Sequence, residues 1–188
     1  MSTFSIGQMT DSHLYGGAGA DTAAGIERRD AYYRQCLHEV ASHGVDFIVH
    51  TGDLVNGTRG EPYHRRFKQL LDEESETLSL PIFVCRGNHE ASGSLPDPVY
   101  REIWGPSNWL HKHKGWAFLG VDRYWKTYSH GGAQYAMSPE CFEEIDALLE
   151  QVPDDMPLAV MLHDNPVGIS DFWHGEEFLY RIRQKDCR

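Results

Sequence analysis

Four short stretches of the sequence place aspartate, asparagine and histidine directly after apolar runs. They are Asp11-Ser12-His13, Gly52-Asp53, Gly87-Asn88-His89-Glu90 and the single His163. Carboxylate, amide and imidazole groups bind divalent metal ions and also carry out acid–base chemistry. Each stretch alone is a weak signal, because Asp-x-His tripeptides, Gly-Asp turns and strand-end histidines also occur for structural reasons. Four of them, each at the end of a predicted strand, are hard to explain as coincidence.

The stretches follow segments whose apolar patterns predict β-strands. Strands are predicted over residues 4–9, 45–50, 82–85, 116–121 and 158–162. Apolar residues at helical spacing predict helices over residues 25–43, 61–78 and 176–185, and a further helix from Pro139 after the capping residue Ser138. Residues 14–25 and 91–113 contain several glycines or prolines and predict a loop and an irregular segment.

Strands that alternate with helices predict an α/β fold with a largely parallel central sheet. Ligands of such sheets bind beyond the carboxyl ends of the strands. Since the four polar stretches all follow strands, this topology would bring together side chains from distant parts of the chain.

Composition narrows the class of protein. At roughly 150 residues per domain, a chain of 188 residues predicts a single domain over residues 1–188. A net charge of −11 argues against non-specific nucleic-acid binding. The four cysteines have no paired spacing, which argues against a zinc knuckle or a disulfide framework. With no leader pattern at residue 1 and no apolar stretch of about 20 residues, we expect a cytoplasmic protein that does not bind membranes.

The ordered motifs resemble the calcineurin-like metallophosphoesterases. The resemblance rests on Asp11-x-His13, Gly52-Asp53-Leu54-Val55, Gly87-Asn88-His89-Glu90 and His163, and it extends from Ser5 to the last predicted helix. It is greatest with the bacterial branch that includes cyclic-nucleotide-type phosphodiesterases. It implies a four-layer α/β/β/α sandwich and hydrolysis of phosphomonoesters or phosphodiesters, with a small-molecule phosphoester as substrate.

The resemblance also implies roles for individual residues. Asp11, His13 and Asp53 would hold one metal ion, and Asp53, Asn88 and His163 a second, with Asp53 bridging the two. His89 would be the catalytic residue, and a metal-bridging hydroxide would attack the phosphorus atom. Oxygen and nitrogen ligands without thiolate suit Mn, Fe or Zn. Glu90 is expected to be structural.

The sequence departs from the family pattern at two points. The family ends its site with Gly-His-x-His, whose histidines complete both ions, and residues 1–188 contain no such block. The segment at His163 reads His-Asp-Asn-Pro, where the family usually has His-His-Pro-Pro. We expect a C-terminally incomplete fold, with an open sheet edge and weaker metal binding. A degenerate, non-catalytic module and a site completed by a partner chain are the alternatives.

The remaining histidines predict mainly structural positions. His50 is expected in the core or beneath the site, and His174 is a candidate substitute ligand. The others are expected at the surface: His38, His43, His64, His111, His113 and His130.

Overall fold

Strands and helices alternate from Ile6 to Val84, as the apolar patterns predict, whereas strands follow one another between Trp109 and Ala136. The computed structural model describes residues 3–57, 59–91, 95–122, 126–129, 133–165, 172–173 and 175–185. In chain order the elements are β1 (Ile6–Met9), α1 (Ala23–Ser42), β2 (Phe47–His50), α2 (Glu61–Leu78), β3 (Ile82–Val84), α3 (Asn88–Ala91), α4 (Asp97–Trp104), β4 (Trp109–His113), β5 (Trp116–Gly120), β6 (Lys126–Ser129), β7 (Ala133–Ala136), α5 (Pro139–Leu149), β8 (Leu158–Met161), β9 (Phe172–Trp173) and α6 (Gly175–Ile182).

The first sheet contains β1, β2 and β3, all parallel, with β2 in the centre. Every residue of β2 is buried, which fits a strand covered on both faces of its sheet. Because the three strands run in the same direction, the turns that follow Met9, His50 and Val84 lie at one edge of the sheet.

The second sheet places β5 between β4, which is antiparallel to it, and β8, which is parallel to it. Lys114 and Gly115 join β4 to β5 with φ values of 46° and 85°, as a tight two-residue hairpin turn requires. A third, small sheet contains β6, β7 and β9.

Three hydrophobic clusters hold these elements together. Phe47, Phe118 and Cys85 belong to a cluster between the first and second sheets. A second cluster joins the first sheet to α1, α2 and α4, and a third joins the second sheet to α5 and α6. The α/β class is thus confirmed, whereas the four-layer arrangement stays a prediction.

The strands do not form the one central sheet that their alternation predicts. The five predicted strands are divided between the first and second sheets. β2 and β5 each carry apolar side chains on both faces, so each strand needs a covering layer on both sides. The bounds of β1, β2, β3, β5 and β8 agree with the predicted strands to within two residues at each end, and α2 matches its predicted helix.

The prediction of an irregular segment over residues 91–113 was wrong in part. Asp97–Trp104 forms α4, and Trp109–His113 forms β4. Pro98 lies in the first turn of α4, where a missing N–H group breaks no helical hydrogen bond. The proline that predicted a break therefore lies at the start of a helix. The strands β6, β7 and β9 were not predicted either.

Three surface predictions for histidines were also wrong. His64 is fully buried on α2, where its ring contacts Trp104. His111 and His113 are half-buried on β4 and contact the ring of Phe47. His38 and His43 are exposed, as expected, while His130 and His174 lie outside the described residues.

The described helices include none that combines the length and the apolar character needed to cross a membrane.

Candidate metal centre

The carboxyl end of β2 turns sharply at Gly52 and Asp53. Their φ values are 109° and 53°, which glycine adopts freely and aspartate only at a cost. The Asp53 amide lies against Gly87, where an added Cβ would come within 2.2 Å of the Asp53 nitrogen. Glycine at position 87 therefore lets the turns after β2 and β3 close on each other, which brings Asp53 beside Asn88 and His89.

The turn after β1 is held against the same backbone. Asp11 and His13 also have positive φ values, 53° and 39°. The Asp11 N–H donates to the Gly52 carbonyl and the His13 N–H donates to the Asp53 carbonyl, each at 3.0 Å. These bonds stabilise a strained turn, and strained backbone is common at functional sites. His13 Nε2 consequently lies 3.7 Å from Asp11 Oδ1 and 3.5 Å from Asp53 Oδ2.

The buried His50 connects these two turns. Its Nδ1 accepts the Gly52 N–H at 3.3 Å. The Ser12 hydroxyl donates to the Leu54 carbonyl at 2.8 Å, so the Ser12 oxygen is left to accept the His50 Nε2–H at 3.1 Å. Burial lowers the pKa of His50 to about 3, so the ring is neutral near pH 7. His50 therefore lies beneath the site, as one of the sequence alternatives expected.

The carboxylate of Asp53 is the point where the predicted ligands converge. His13, Asp53 and His89 form one group of candidate metal ligands, and Asp11, Asp53 and His163 form another, with donor atoms within 4.8 Å of one another in each. Burial alone would raise the pKa of Asp53, but hydrogen bonds from His163 and from the His89 amide hold it below its usual value. Asp53 therefore presents a negative charge to both groups.

The ring of His163 is oriented as a metal ligand. Its Nδ1 lies 2.9 Å from the Thr51 carbonyl. A carbonyl can only accept a hydrogen bond, so Nδ1 carries the proton of the neutral ring. The lone pair is then on Nε2, which lies 3.1 Å from Asn88 Oδ1 and 3.5 Å from Asp53 Oδ1. Three acceptors that face one another need a cation between them. Burial opposes protonation of His163, but the Asp53 carboxylate raises its pKa above the usual value.

A divalent ion would satisfy the same three atoms in place of that proton. Metal-bound histidines commonly donate their other ring N–H to a backbone carbonyl, as His163 does to Thr51. The donor set around His163 therefore fits a metal ion.

The ring of His89 has the opposite polarity. The Gly57 N–H donates to His89 Nδ1 at 2.9 Å, so the proton of the neutral ring is on Nε2. That nitrogen lies 3.8 Å from Asp53 Oδ2, and the ring lies edge-on to His13 with 4.4 Å between the ring centroids. A protonated Nε2 can donate a hydrogen bond but cannot bind a metal ion. His89 is thus oriented as a proton donor next to the ligand cluster.

Glu90 has a structural role, as the sequence suggested. It is fully buried, and its carboxylate accepts the backbone N–H groups of Asp53, Leu54, Val55 and Gly87 at 2.9–3.2 Å. Burial raises the pKa of Glu90 to about 7, although the amide donors oppose that rise. One carboxylate therefore holds the turn after β2 and the turn after β3 in fixed relation.

Substitution of Glu90 should destabilise the fold. In Glu90→Ala four buried amides lose their partner, and we expect the free energy of unfolding to fall by about 3–5 kcal/mol. Glu90→Gln retains one acceptor oxygen and should lose about 1–3 kcal/mol. Urea unfolding of the metal-free protein measures both, with the exposed Glu143→Ala as a control expected within about 0.5 kcal/mol of wild type. Equal stability of Glu90→Ala and Glu143→Ala would contradict this assignment.

The structure brings all six predicted site residues to one edge of the first sheet. They are Asp11, His13, Asp53, Asn88, His89 and His163, and their individual roles stay predictions. Asp11 also neighbours His163, so the donor atoms do not separate into the two sets that the resemblance implies. Sequence reasoning missed the orienting partners Gly57 and Thr51, because both act through backbone atoms that carry no residue-type signal.

Comparisons with known proteins identify the family and support the fold. The model of the calcineurin-like phosphoesterase family matches residues 4–187, whereas no curated protein matches the sequence. A dimetal phosphatase from Danio rerio has a similar structure, with a TM-score of 0.66 and 14% identity over 98% of this chain and 79% of the other. A purple acid phosphatase from yellow lupin (Lupinus luteus) seeds has a TM-score of 0.43 and 15% identity over 85% of this chain and 30% of its own. The family match covers nearly the whole chain, so the protein belongs to the calcineurin-like phosphoesterase family.

Proposed function

We propose that this protein is a dinuclear-metal-dependent hydrolase of phosphoester bonds. The observation that carries the proposal is the convergence of two candidate ligand groups on the shared carboxylate of Asp53. One group contains His13 and His89, and the other contains Asp11 and His163. A shared carboxylate favours two neighbouring cations, because one negative group reduces the repulsion between them. Family membership supports the reaction class, and a small phosphomonoester or phosphodiester is the proposed substrate.

The family resemblance, rather than the observed grouping of the donor atoms, divides the ligands into two proposed sets. Asp11, His13 and Asp53 hold one ion, and Asp53, Asn88 and His163 hold the other. Asn88 contributes an oxygen without adding charge. Mn, Fe and Zn all accept this mixture of oxygen and imidazole nitrogen. When bound, the two ions supply a water molecule of lowered pKa and positive charge against the phosphoryl oxygens.

The chain's own residues carry out the remaining steps. The Nε2–H of His89 donates a hydrogen bond to the leaving oxygen and stabilises its negative charge, and the Gly57 N–H on Nδ1 keeps the ring proton on the outward nitrogen. Asp53 remains ionised because His163 and the His89 amide stabilise its charge. The His50–Ser12 pair keeps the two ligand-bearing turns together, so that the donor atoms are in place before substrate arrives.

Metal titration combined with turnover tests the proposal. The purified chain, freed of metal with a chelator, should bind two equivalents of Mn²⁺ and should then hydrolyse bis(p-nitrophenyl) phosphate or p-nitrophenyl phosphate. Chelator should abolish turnover, and Mn²⁺ should restore it. Because His38 is exposed on α1, His38→Gln serves as a matched control that retains both properties. Fewer than two bound ions together with no turnover would favour the alternative, a non-catalytic module with the same fold.

A further inference from the structure

The two sheets contribute unequally to the proposed centre. The ligands of the first proposed ion, Asp11, His13 and Asp53, all follow strands of the first sheet. The second ion requires His163, which follows β8 of the second sheet. Its geometry therefore depends on how the second sheet lies against the turn that carries Asn88, whereas the geometry of the first ion does not.

A buried ion pair joins the two sheets at this edge. Arg86 Nη1 lies 3.3 Å from Asp122 Oδ2, and the two side chains are 3% and 0% exposed. Arg86 directly precedes the turn that carries Asn88. Asp122 follows β5, and the preceding Val121 N–H donates to the Met161 carbonyl at 2.9 Å. Since Met161 is two residues before His163, the pair connects the chain segments that carry Asn88 and His163.

Each partner of the pair is fixed within its own surroundings. The Arg86 guanidinium lies over the Tyr100 ring at 4.7 Å and also pairs with Asp97 at the start of α4. The Asp122 N–H donates to Asn108 Oδ1 at 2.8 Å. Two charges that are held in place on opposite sheets fix the separation of those sheets better than apolar contacts, which tolerate sliding.

Other hydrogen bonds also join the two sheets at this edge. The Cys85 thiol donates to the Met161 carbonyl at 3.4 Å, and thiols are weak donors. The bond between His163 and Thr51 fixes the rotation of the His163 ring rather than the position of its backbone. The Trp109 indole N–H also donates to the Val84 carbonyl at 2.7 Å and joins the two sheets through β4. The Arg86–Asp122 pair adds a contact between charged groups that joins the residue before Gly87 to the segment after β5, the strand that pairs with β8.

We propose that Arg86 and Asp122 are positioning residues that hold the Asn88–His89 turn against the segment that carries His163. Because the second proposed ion spans the two sheets, the pair sets the affinity for that ion and leaves the first unaffected. The metal-binding part of this inference rests on the proposed function, whereas the positioning itself concerns the metal-free fold.

Two variants and one control test the inference. Asp122→Asn keeps the size of the side chain and leaves Arg86 paired with Asp97. The double variant Arg86→Met with Asp122→Leu removes both charges, so that no unpaired buried charge prevents folding. Glu74→Gln is the control, because Glu74 is a buried carboxylate paired with Arg34 between α1 and α2, away from the sheet interface.

Calorimetric titration of the metal-free protein with Mn²⁺ should distinguish the two ions. In both variants we expect the affinity for one ion to fall about 10- to 100-fold, as is usual when a supporting partner of a metal site is lost, while the affinity for the other stays within about twofold. Hydrogen exchange of the metal-free variants should be faster for the amides of residues 87–89 and 161–163 and unchanged for those of residues 11–14. Glu74→Gln should leave both measurements unchanged.

The outcomes separate this inference from the proposed function. Wild-type affinities for both ions in the double variant, with unchanged exchange at residues 161–163, would overturn the positioning role. An equal loss of affinity for both ions would also overturn it, because the first ligand set does not span the sheets. If the wild-type chain binds no second ion, the proposed function fails, and the exchange rates of the metal-free variants still decide the positioning role.

Discussion

Replacement of His89 by alanine should lower kcat by about 10²- to 10⁴-fold and leave the bound metal unchanged. The reason lies in the polarity of the ring. The Gly57 N–H donates to Nδ1, so Nε2 keeps its proton. Nε2 can therefore donate a hydrogen bond to a leaving oxygen but cannot bind a metal ion. A residue with that polarity contributes to the barrier of the reaction and not to the assembly of the metal site.

The nature of the leaving group makes this prediction sharper. p-Nitrophenolate is a stable anion that needs little help to leave, whereas an alkoxide holds its charge on one oxygen and gains more from the hydrogen bond that His89 donates. The loss of activity in His89→Ala should therefore be at least tenfold greater for an alkyl phosphoester than for a p-nitrophenyl phosphoester. Steady-state rates with a matched pair of substrates measure this difference, and the metal content of the same sample is measured alongside. Unchanged activity with both ions bound would show that His89 does not stabilise the leaving oxygen, and loss of an ion would show that His89 is a ligand.

The rule that ligands gather at strand ends predicted the position of this site well. It needs only the strand pattern and the residues that follow each strand, and both are local properties of the sequence. It brought Asp11, Asp53 and His89 to one place because parallel neighbours end at the same edge of the first sheet. The resemblance to a family then gave the roles that residue types alone do not distinguish.

The difference between His89 and His163 could not be predicted from the sequence. Each ring takes its polarity from the backbone atom that contacts Nδ1, an amide of Gly57 in one case and the carbonyl of Thr51 in the other. Such contacts depend on how loops close in three dimensions. The burial of His64 could not be predicted from the sequence either. It follows from the packing of α2 against α4, and the prolines near the start of α4 predicted an irregular segment instead of a helix.

Replacement of Asp53 by asparagine should weaken the binding of both ions by at least about 100-fold and abolish turnover. Asp53 is the one residue shared by both candidate groups found among the described residues. Its Oδ2 faces His13, and its Oδ1 faces His163. Asparagine keeps the size of the side chain but removes the charge and replaces one acceptor oxygen with a donor, so neither group keeps its bridging ligand.

This loss should occur without unfolding. Asp53 is 3% exposed, and a buried carboxylate carries a desolvation cost that asparagine lacks. The hydrogen bonds that hold the pKa of Asp53 below its usual value more than offset that cost, so the ionised carboxylate stabilises the metal-free fold. The metal-free Asp53→Asn protein should therefore remain folded but unfold at a modestly lower urea concentration than wild type, while Mn²⁺ should stabilise wild type only, since metal binding adds to folding free energy.

Asp11→Asn is the matched comparison, because Asp11 is half exposed and belongs to a single candidate group. This substitution should lower the affinity for one metal ion and leave the affinity for the other unchanged. Two-site binding of Mn²⁺ by Asp53→Asn, with affinities near those of Asp11→Asn, would contradict the bridging role. If the prediction holds, metal binding depends on the one carboxylate of Asp53. The close approach of Gly87 and the amide hydrogen bonds to Glu90 bring that carboxylate into place, so the stability of these turns determines whether the metal site forms.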